Sequence, residues 1–356
     1  MNSGPDSRLP FYFAVAYALL VIYASLHPFS GWRDNGVPLL AWLTAGWPRY
    51  LTAFDVAVNV LAYIPLGFFL CTALQKATPH WGNALSATLL AALLSFAMEA
   101  VQNYLPSRVP SNLDLVNNSL GAALGAVLAL GRGRALLSGG RLHDLRGQRI
   151  VAGRAGDLGL LLMGLWLLTQ LNPEILLFGV GDLRHLLDLE DMAGFDAVRH
   201  ARLETVIAAA NTFAAGLVLS CLVKRNRSGS FLVLLLLACL IRSAAAAVLV
   251  APDQALRWIT PGNARGVALG AALFFPALFL ASLPRRLLAG VALLFATVLV
   301  NLVPENPYLV QAAQVWRQGH FLNFNGLTRL ASMLWPFLAL PWLLIPEYDP
   351  WKNSTT

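Results

Sequence analysis

The chain has 356 residues, of which 57% are apolar and only 12% charged, with a formal net charge of +7 and a mean hydropathy of +0.62. That balance excludes an ordinary soluble domain. The basic surplus sits in short connectors, which fits membrane topology and anionic headgroups and excludes nucleic acid as a partner.

The composition predicts an all-α, polytopic integral membrane bundle of about ten transmembrane helices. Apolar segments long enough to cross a ~30 Å hydrocarbon core recur from end to end. In chain order they are 9–28, 54–74, 84–105, 113–130, 158–180, 204–223, 231–250, 264–283, 287–303 and 329–345. The first lacks a basic leader and a small-residue cleavage pattern, so it reads as a retained span, not a removed signal peptide. Backbone groups in lipid must bond internally, which makes these segments helices, and the alternation of a membrane β-barrel is absent.

Arginines set the expected orientation. The connector 131–156 holds Arg132, Arg134, Arg141, Arg146, Arg149 and Arg154 against one acid, Asp144. Lys224, Arg225 and Arg227 follow the sixth segment, and Arg285 and Arg286 the eighth. All three connectors fall on one side, which the positive-inside rule makes cytoplasmic. Both termini are then expected on the cytoplasmic side of a bacterial inner (plasma) membrane. The opposite connector is acid-rich, with Asp182, Asp188, Glu190, Asp191 and Asp196. Cys71, Cys221 and Cys239 are too far apart in sequence to suggest metal or redox work. Trp32, Trp42, Trp47, Trp316, Trp335 and Trp342 read as interfacial belts. In the stretch 301–329, residues 308–317 suggest a short interfacial helix.

A repeat is visible. Asn118, Gly121 and Gly125 recur as Asn263, Gly266 and Gly270 after 145 positions, and Leu26-His27-Pro28 recurs as Leu171-Asn172-Pro173. A slightly larger shift places Asp55 and Gly67 on Glu204 and Gly216. This predicts a four-helix unit at 9–131, a basic connector at 132–156, a second four-helix unit at 157–283 and two C-terminal helices at 284–345. Parallel repeats occur among transporters, while small-xxx-small faces also simply let helices pack. The counterparts of Glu99, Gln102 and Asp114 are Ala244, Ala247 and Ile259, so the second unit reads as scaffold. Arg242 lies mid-helix in that unit; its expected partner is Glu99 or Asp55.

The polar residues of the first unit carry the functional signal. Asp55–Asn59, Glu99–Asn103 and Asp114–Asn118 each set an amide one turn after an acid, and acids at membrane depth are costly. With the expected topology, these groups, Gln102, Asn117, Arg108 and His27 converge in one layer below the outer surface. Asp114 and Asp55 also suit helix N-termini, where acids are favoured. Glu99, near a helix C-terminus, has no such explanation. Glu99, Asp114 and Arg108 are the candidate reacting groups; Asp55, Asn59, Gln102, Asn103, Asn117, Asn118 and Arg242 are candidates for binding.

The strings FDVAVNVLAYIPLGFFL (54–70) and SFAMEAVQNYLPSRVPSNLDLVNNSLGAALG (95–125) resemble the VanZ-like membrane domain. That pattern has Asp and Asn ahead of Pro-Leu-Gly, Glu and Gln ending a helix, Arg in a short loop, and an Asp–Asn pair ahead of a glycine helix. The resemblance spans about residues 9–131 and selects Asp55, Asn59, Pro65, Gly67, Glu99, Gln102, Arg108, Asp114, Asn118 and Gly121. The family's namesake is associated with teicoplanin resistance, so the resemblance implies an envelope protein that affects glycopeptide sensitivity. This chain departs from the pattern in its length, its second unit and its last two helices.

Three function classes follow: recognition of a lipid headgroup or lipid-linked envelope precursor, a lipid-modifying enzyme with Glu99 as general base, and a transporter or flippase. In the first, paired acids receive an amine or divalent cation and Arg108 a phosphate or carboxylate. The enzyme reading has no HExxH, Gly-x-Ser-x-Gly or phosphate-loop motif behind it. The one-sided placement of the acids weakens the transporter. A structural reading, in which these groups only lock helix ends, competes with all three. No cofactor and no metal site is implied. The expected partners are membrane lipids or a lipid-linked precursor.

Overall fold

A computed structural model describes residues 8–47, 52–75, 80–133, 141–173, 175–184, 186, 197–303 and 322–345. The expected interfacial helix at 308–317 lies outside these residues, as do Trp316, Asp188, Glu190, Asp191 and Asp196. The described chain contains twelve α-helices and no named strand; one isolated bridge pairs Ile150 with Val223. The protein is a multi-pass helical membrane protein. Among the described residues, seven helices are long and apolar enough to cross a bilayer.

The chain divides into two compact units, Met1–Gly147 and Gln148–Thr356. The first contains α1 (Leu9–Leu26), the short α2 (Ala41–Thr44), α3 (Ala53–Leu74), α4 (Trp81–Gln102) and α5 (Asn112–Gly133). The basic connector carries a helix, α6 (Arg141–Arg149), across the boundary. Within the first unit, α3 packs most extensively on α5, then α5 on α4. Glycine makes that possible: a Cβ on Gly67 would stand 2.0 Å from the Ala122 carbonyl oxygen, and one on Gly125 would stand 1.9 Å from that of Ile64. The small-residue face is therefore a backbone-to-backbone seam, as small-xxx-small spacing predicts.

Side chains fix the end of that seam where both helices begin. Thr52 and Asp55 form a reciprocal capping box at the start of α3. Ser111 Oγ accepts from the Leu113 amide at 3.2 Å and from Asp114 N at 3.4 Å at the start of α5. The α3 and α5 contact positions rise together along the chain, so the two helices run parallel and start at one end of the unit.

The second unit contains α7 (Gly153–Thr169), α8 (Ala197–Leu222), α9 (Arg227–Leu249), α10 (Pro261–Ala277), α11 (Ser282–Leu302) and α12 (Leu322–Leu343). The expected span 158–180 is shorter than its apolar run, because α7 stops at Thr169. Pro173 disfavours helix in the residue before it, and the described residues 170–173 and 175–184 are not helical. This segment is held inside the unit: Ser332 Oγ donates to Gly179 O at 3.2 Å and Asn301 Nδ2 to Gly181 O at 2.7 Å. Irregular backbone at such depth is tolerated where protein satisfies its polar groups. The two C-terminal helices, α11 and α12, pack on α8 and α7 in the same unit. Trp335 and Trp342 are buried and donate to the carbonyls of Leu162 and Ala155, both at 2.8 Å, so they are core residues instead of belt residues. Trp42 is likewise buried.

Candidate functional site

The site candidates of the first unit gather where α1 and α4 end and α3 and α5 begin. Glu99 is 4% exposed, in the last turn of α4. Its Oε2 accepts from the Ser111 backbone amide at 2.9 Å, so the carboxylate reaches the loop that starts α5. Asn59 Nδ2 of α3 donates to Asp114 Oδ1 of α5 at 2.7 Å. Asn118 Nδ2 donates to Ser95 Oγ of α4 at 2.9 Å, and the Tyr63 phenol stands against the same Ser95. None of the three acid–amide pairs seen in the sequence closes within its own helix by these bonds. The amides instead tie neighbouring helices together.

Arg108 lies in the loop between α4 and α5. Its Nη2 donates to His27 O at 2.7 Å and to Ala24 O at 3.2 Å, at the end of α1. Guanidinium donors there complete carbonyls that a helix end leaves free. Burial lowers the proton affinity of the guanidinium, and the nearby Glu99 charge raises it. Glu99 lies within electrostatic reach of both Asp114 and Arg108. The His27 imidazole is pushed below its ordinary value by burial and then by Arg108.

Other candidates fall outside this cluster or serve it indirectly. The Asp55 carboxylate accepts from Thr52 Oγ1 at 2.7 Å, which makes it a capping group. Gln102 Nε2 donates to Ser25 O at 2.9 Å, and Asn103 Nδ2 to Val37 O at 3.3 Å, fastening the end of α4 to α1 and to the loop after it. Arg242 does not have the carboxylate partner expected of it. Its guanidinium donates to the carbonyls of Asn172 at 2.7 Å, Pro173 at 3.2 Å and Ile175, all in the second unit. The early end of α7 frees those carbonyls, and a buried guanidinium with several donors satisfies them.

Sequence reasoning missed Ser95, Ser111 and Tyr63. Ser111 was detectable, because Ser111-x-x-Asp114 has the spacing of a helix cap. Ser95 and Tyr63 carry no comparable signal. Within the cluster several buried polar atoms lack a partner: Asn117 Nδ2, Asn118 Oδ1 and Arg108 Nε. Buried polar groups are normally satisfied, so this concentration is chemically unusual. Among the described residues no group of three or more His, Cys, Asp or Glu has metal-holding geometry. The arrangement offers two neighbouring carboxylates, a buried amide donor, a buried amide acceptor and one guanidinium N–H.

The family model described as VanZ/LLP1 matches residues 10–136. No curated protein and no solved structure gives a match. The first unit thus contains a VanZ-like domain, and the family match ends before the second unit begins.

Proposed function

We propose that the VanZ-like domain of this membrane protein recognises the polar head of an envelope lipid or lipid-linked precursor at the Glu99–Asp114 cluster. The observation that carries this reading is the set of unpartnered buried atoms beside two acids: Asn117 Nδ2, Asn118 Oδ1 and Arg108 Nε. A headgroup with an amine and a phosphate or hydroxyl supplies the missing partners: the acids receive the amine, while Asn117 and Arg108 donate to oxygen. Glu99, Asp114, Arg108, Asn117 and Asn118 touch the ligand. Asn59 holds the Asp114 carboxylate, and Gln102 and Asn103 position the end of α4.

Depth supports a lipid in place of a free solute. The cluster sits at the start of α5, whose 22 residues end at Gly133 beside Arg132. At 1.5 Å per residue that is roughly 33 Å, the thickness of a bilayer core. The acids and the arginine-rich connector therefore belong to opposite faces. By the positive-inside rule the acids then lie under the outer leaflet. Handling envelope lipids at this level is the route by which the protein affects glycopeptide sensitivity.

The test replaces Glu99→Gln and Arg108→Lys in cells lacking the native gene. Abundance, folding, envelope lipid profile and glycopeptide sensitivity are then compared with wild type. The proposal expects Glu99→Gln to accumulate as folded protein yet reproduce the lipid profile of the null strain. Full complementation by Glu99→Gln contradicts it.

A further inference from the structure

The two units repeat one packing register. In the first, a Cβ on Gly121 or Gly125 of α5 would meet the carbonyl oxygens of Val60 and Ile64 at 2.2 and 1.9 Å. In the second, a Cβ on Gly266 or Gly270 of α10 would meet those of Thr205 and Ala209 at 2.6 and 2.5 Å. Each position lies 145 residues beyond its counterpart, on both helices of the pair. A separate bond repeats the same interval: Arg108 donates to His27 O and Arg242 to Asn172 O, both at 2.7 Å. His27 and Asn172 are also 145 apart, although the two arginines are not. The same carbonyl is thus capped in each unit by a guanidinium from a different place in the chain.

This register revises the match of α3 to α8. At an interval of 145, Asn59 falls on Glu204, Asp55 on His200 and Gly67 on Thr212. Asp114 falls on Ile259, so the carboxylate has changed helices across the crossing without leaving it. Glu204 Oε2 lies 2.3 Å from where a Cβ on Gly262 would stand, so the carboxylate rests against the first turn of α10. Among the described residues that carboxylate accepts no hydrogen bond, and the His200 imidazole lies within electrostatic reach of it. One residue further on, Asn263 is 6% exposed and its Oδ1 has no partner. Asn263 is the counterpart of Asn118, whose Oδ1 is likewise unpartnered.

We propose that the second unit is a second copy of the VanZ-like core with its own binding site, in which Glu204 and Asn263 receive the ammonium of a phosphoethanolamine-type group. Two acceptors without donors, one of them anionic, call for a cationic donor. Arg202 and Arg265 are exposed near the starts of α8 and α10, where they meet the phosphate adjoining that ammonium. The second unit therefore keeps the acceptor chemistry that its loss of counterparts to Glu99 and Asp114 had suggested was gone. This assignment does not depend on the ligand of the first unit.

The test uses the full chain in phosphatidylglycerol nanodiscs doped with phosphatidylethanolamine, with bound lipids counted by native mass spectrometry. Wild type enriches phosphatidylethanolamine, and Glu204→Gln weakens that enrichment about tenfold, as loss of one charge-assisted contact implies. Gly262→Ala, whose Cβ displaces the carboxylate, weakens it as well and serves if Glu204→Gln does not fold. Competition by soluble glycerophosphoethanolamine assigns the site to the free headgroup; failure to compete assigns it to the lipid. Undiminished enrichment in folded Glu204→Gln and Gly262→Ala overturns the proposal. If Asp114→Asn alone removes the enrichment, this site is excluded and only the reading of the first unit survives.

Discussion

Asn59 on α3 donates to Asp114 on α5 at 2.7 Å, so the acid's amide partner lies across a helix crossing and not one turn along its own helix. This bond closes the α3–α5 seam at the end where both helices begin, ahead of the glycine contacts at Gly121 and Gly125. Removing the amide takes a strong donor from a partly buried carboxylate. Asn59→Ala is expected to cost about 1–3 kcal/mol, the usual penalty for such a loss. Thermal unfolding in detergent checks this, and a double-mutant cycle with Asp114→Ala should show coupling of at least about 0.5 kcal/mol.

The glycine seam predicts a graded substitution series. Gly125→Ala puts a Cβ against the rigid Ile64 carbonyl, whereas Gly131 has open space around it. Gly125→Ala should destabilise by about 1–3 kcal/mol or more, the range for overpacking a close contact. Gly131→Ala should be neutral. Equal melting temperatures for the two variants would contradict the seam.

Arg242 carries a different expectation. Its hydrogen bonds go to the carbonyls of Asn172, Pro173 and Ile175. Arg242→Ala strands three acceptors, each worth about 1–3 kcal/mol when left unsatisfied, so folded yield should collapse. Arg242→Lys, with a single ammonium, should rescue only part of it. A direct pair with Glu99 would make Arg242→Lys and Glu99→Gln strongly non-additive; the observed bonds predict additivity within about 0.5 kcal/mol.

His27 gives a pH dependence whose sign follows from its environment. Burial and the Arg108 guanidinium disfavour its protonated form in the folded chain. The unfolded chain protonates this side chain at the ordinary value of about 6.5. As pH falls through that value the unfolded state binds more protons, and stability declines until the lower folded value is passed. His27→Gln should flatten the part of the curve between neutral and mildly acidic pH. The check is the melting temperature of both proteins across that range.

Much of the fold was legible in the sequence because lipid leaves a chain few choices. Runs of twenty apolar residues must be helices, and the polar strings at 54–70 and 95–125 were specific enough to indicate the family. The caps were legible too, since Thr52-x-x-Asp55 and Ser111-x-x-Asp114 need only local spacing. Partner choice was not. Whether Asn59 faces Asp55 or Asp114 depends on how α3 crosses α5, which the glycines set at backbone contact. The partners of Arg242 were invisible for another reason: carbonyls carry no side-chain signature, and these became available only because α7 ends before its apolar run does. The interval of 149 that puts Gly67 on Gly216 differs by four from the 145 at which the glycine contacts on α3 and α8 recur, because abundant small residues offer more than one register.

The central claim is that the cluster of Glu99, Asp114, Asn117 and Asn118 holds a lipid head. Its most direct test counts envelope lipids retained by the purified chain in native mass spectrometry, comparing wild type with Asn117→Leu, Asn118→Leu and Glu99→Gln variants that melt normally. The account predicts that a specific lipid retained by wild type is lost from all three. Identical lipid retention by wild type and the three variants would contradict it.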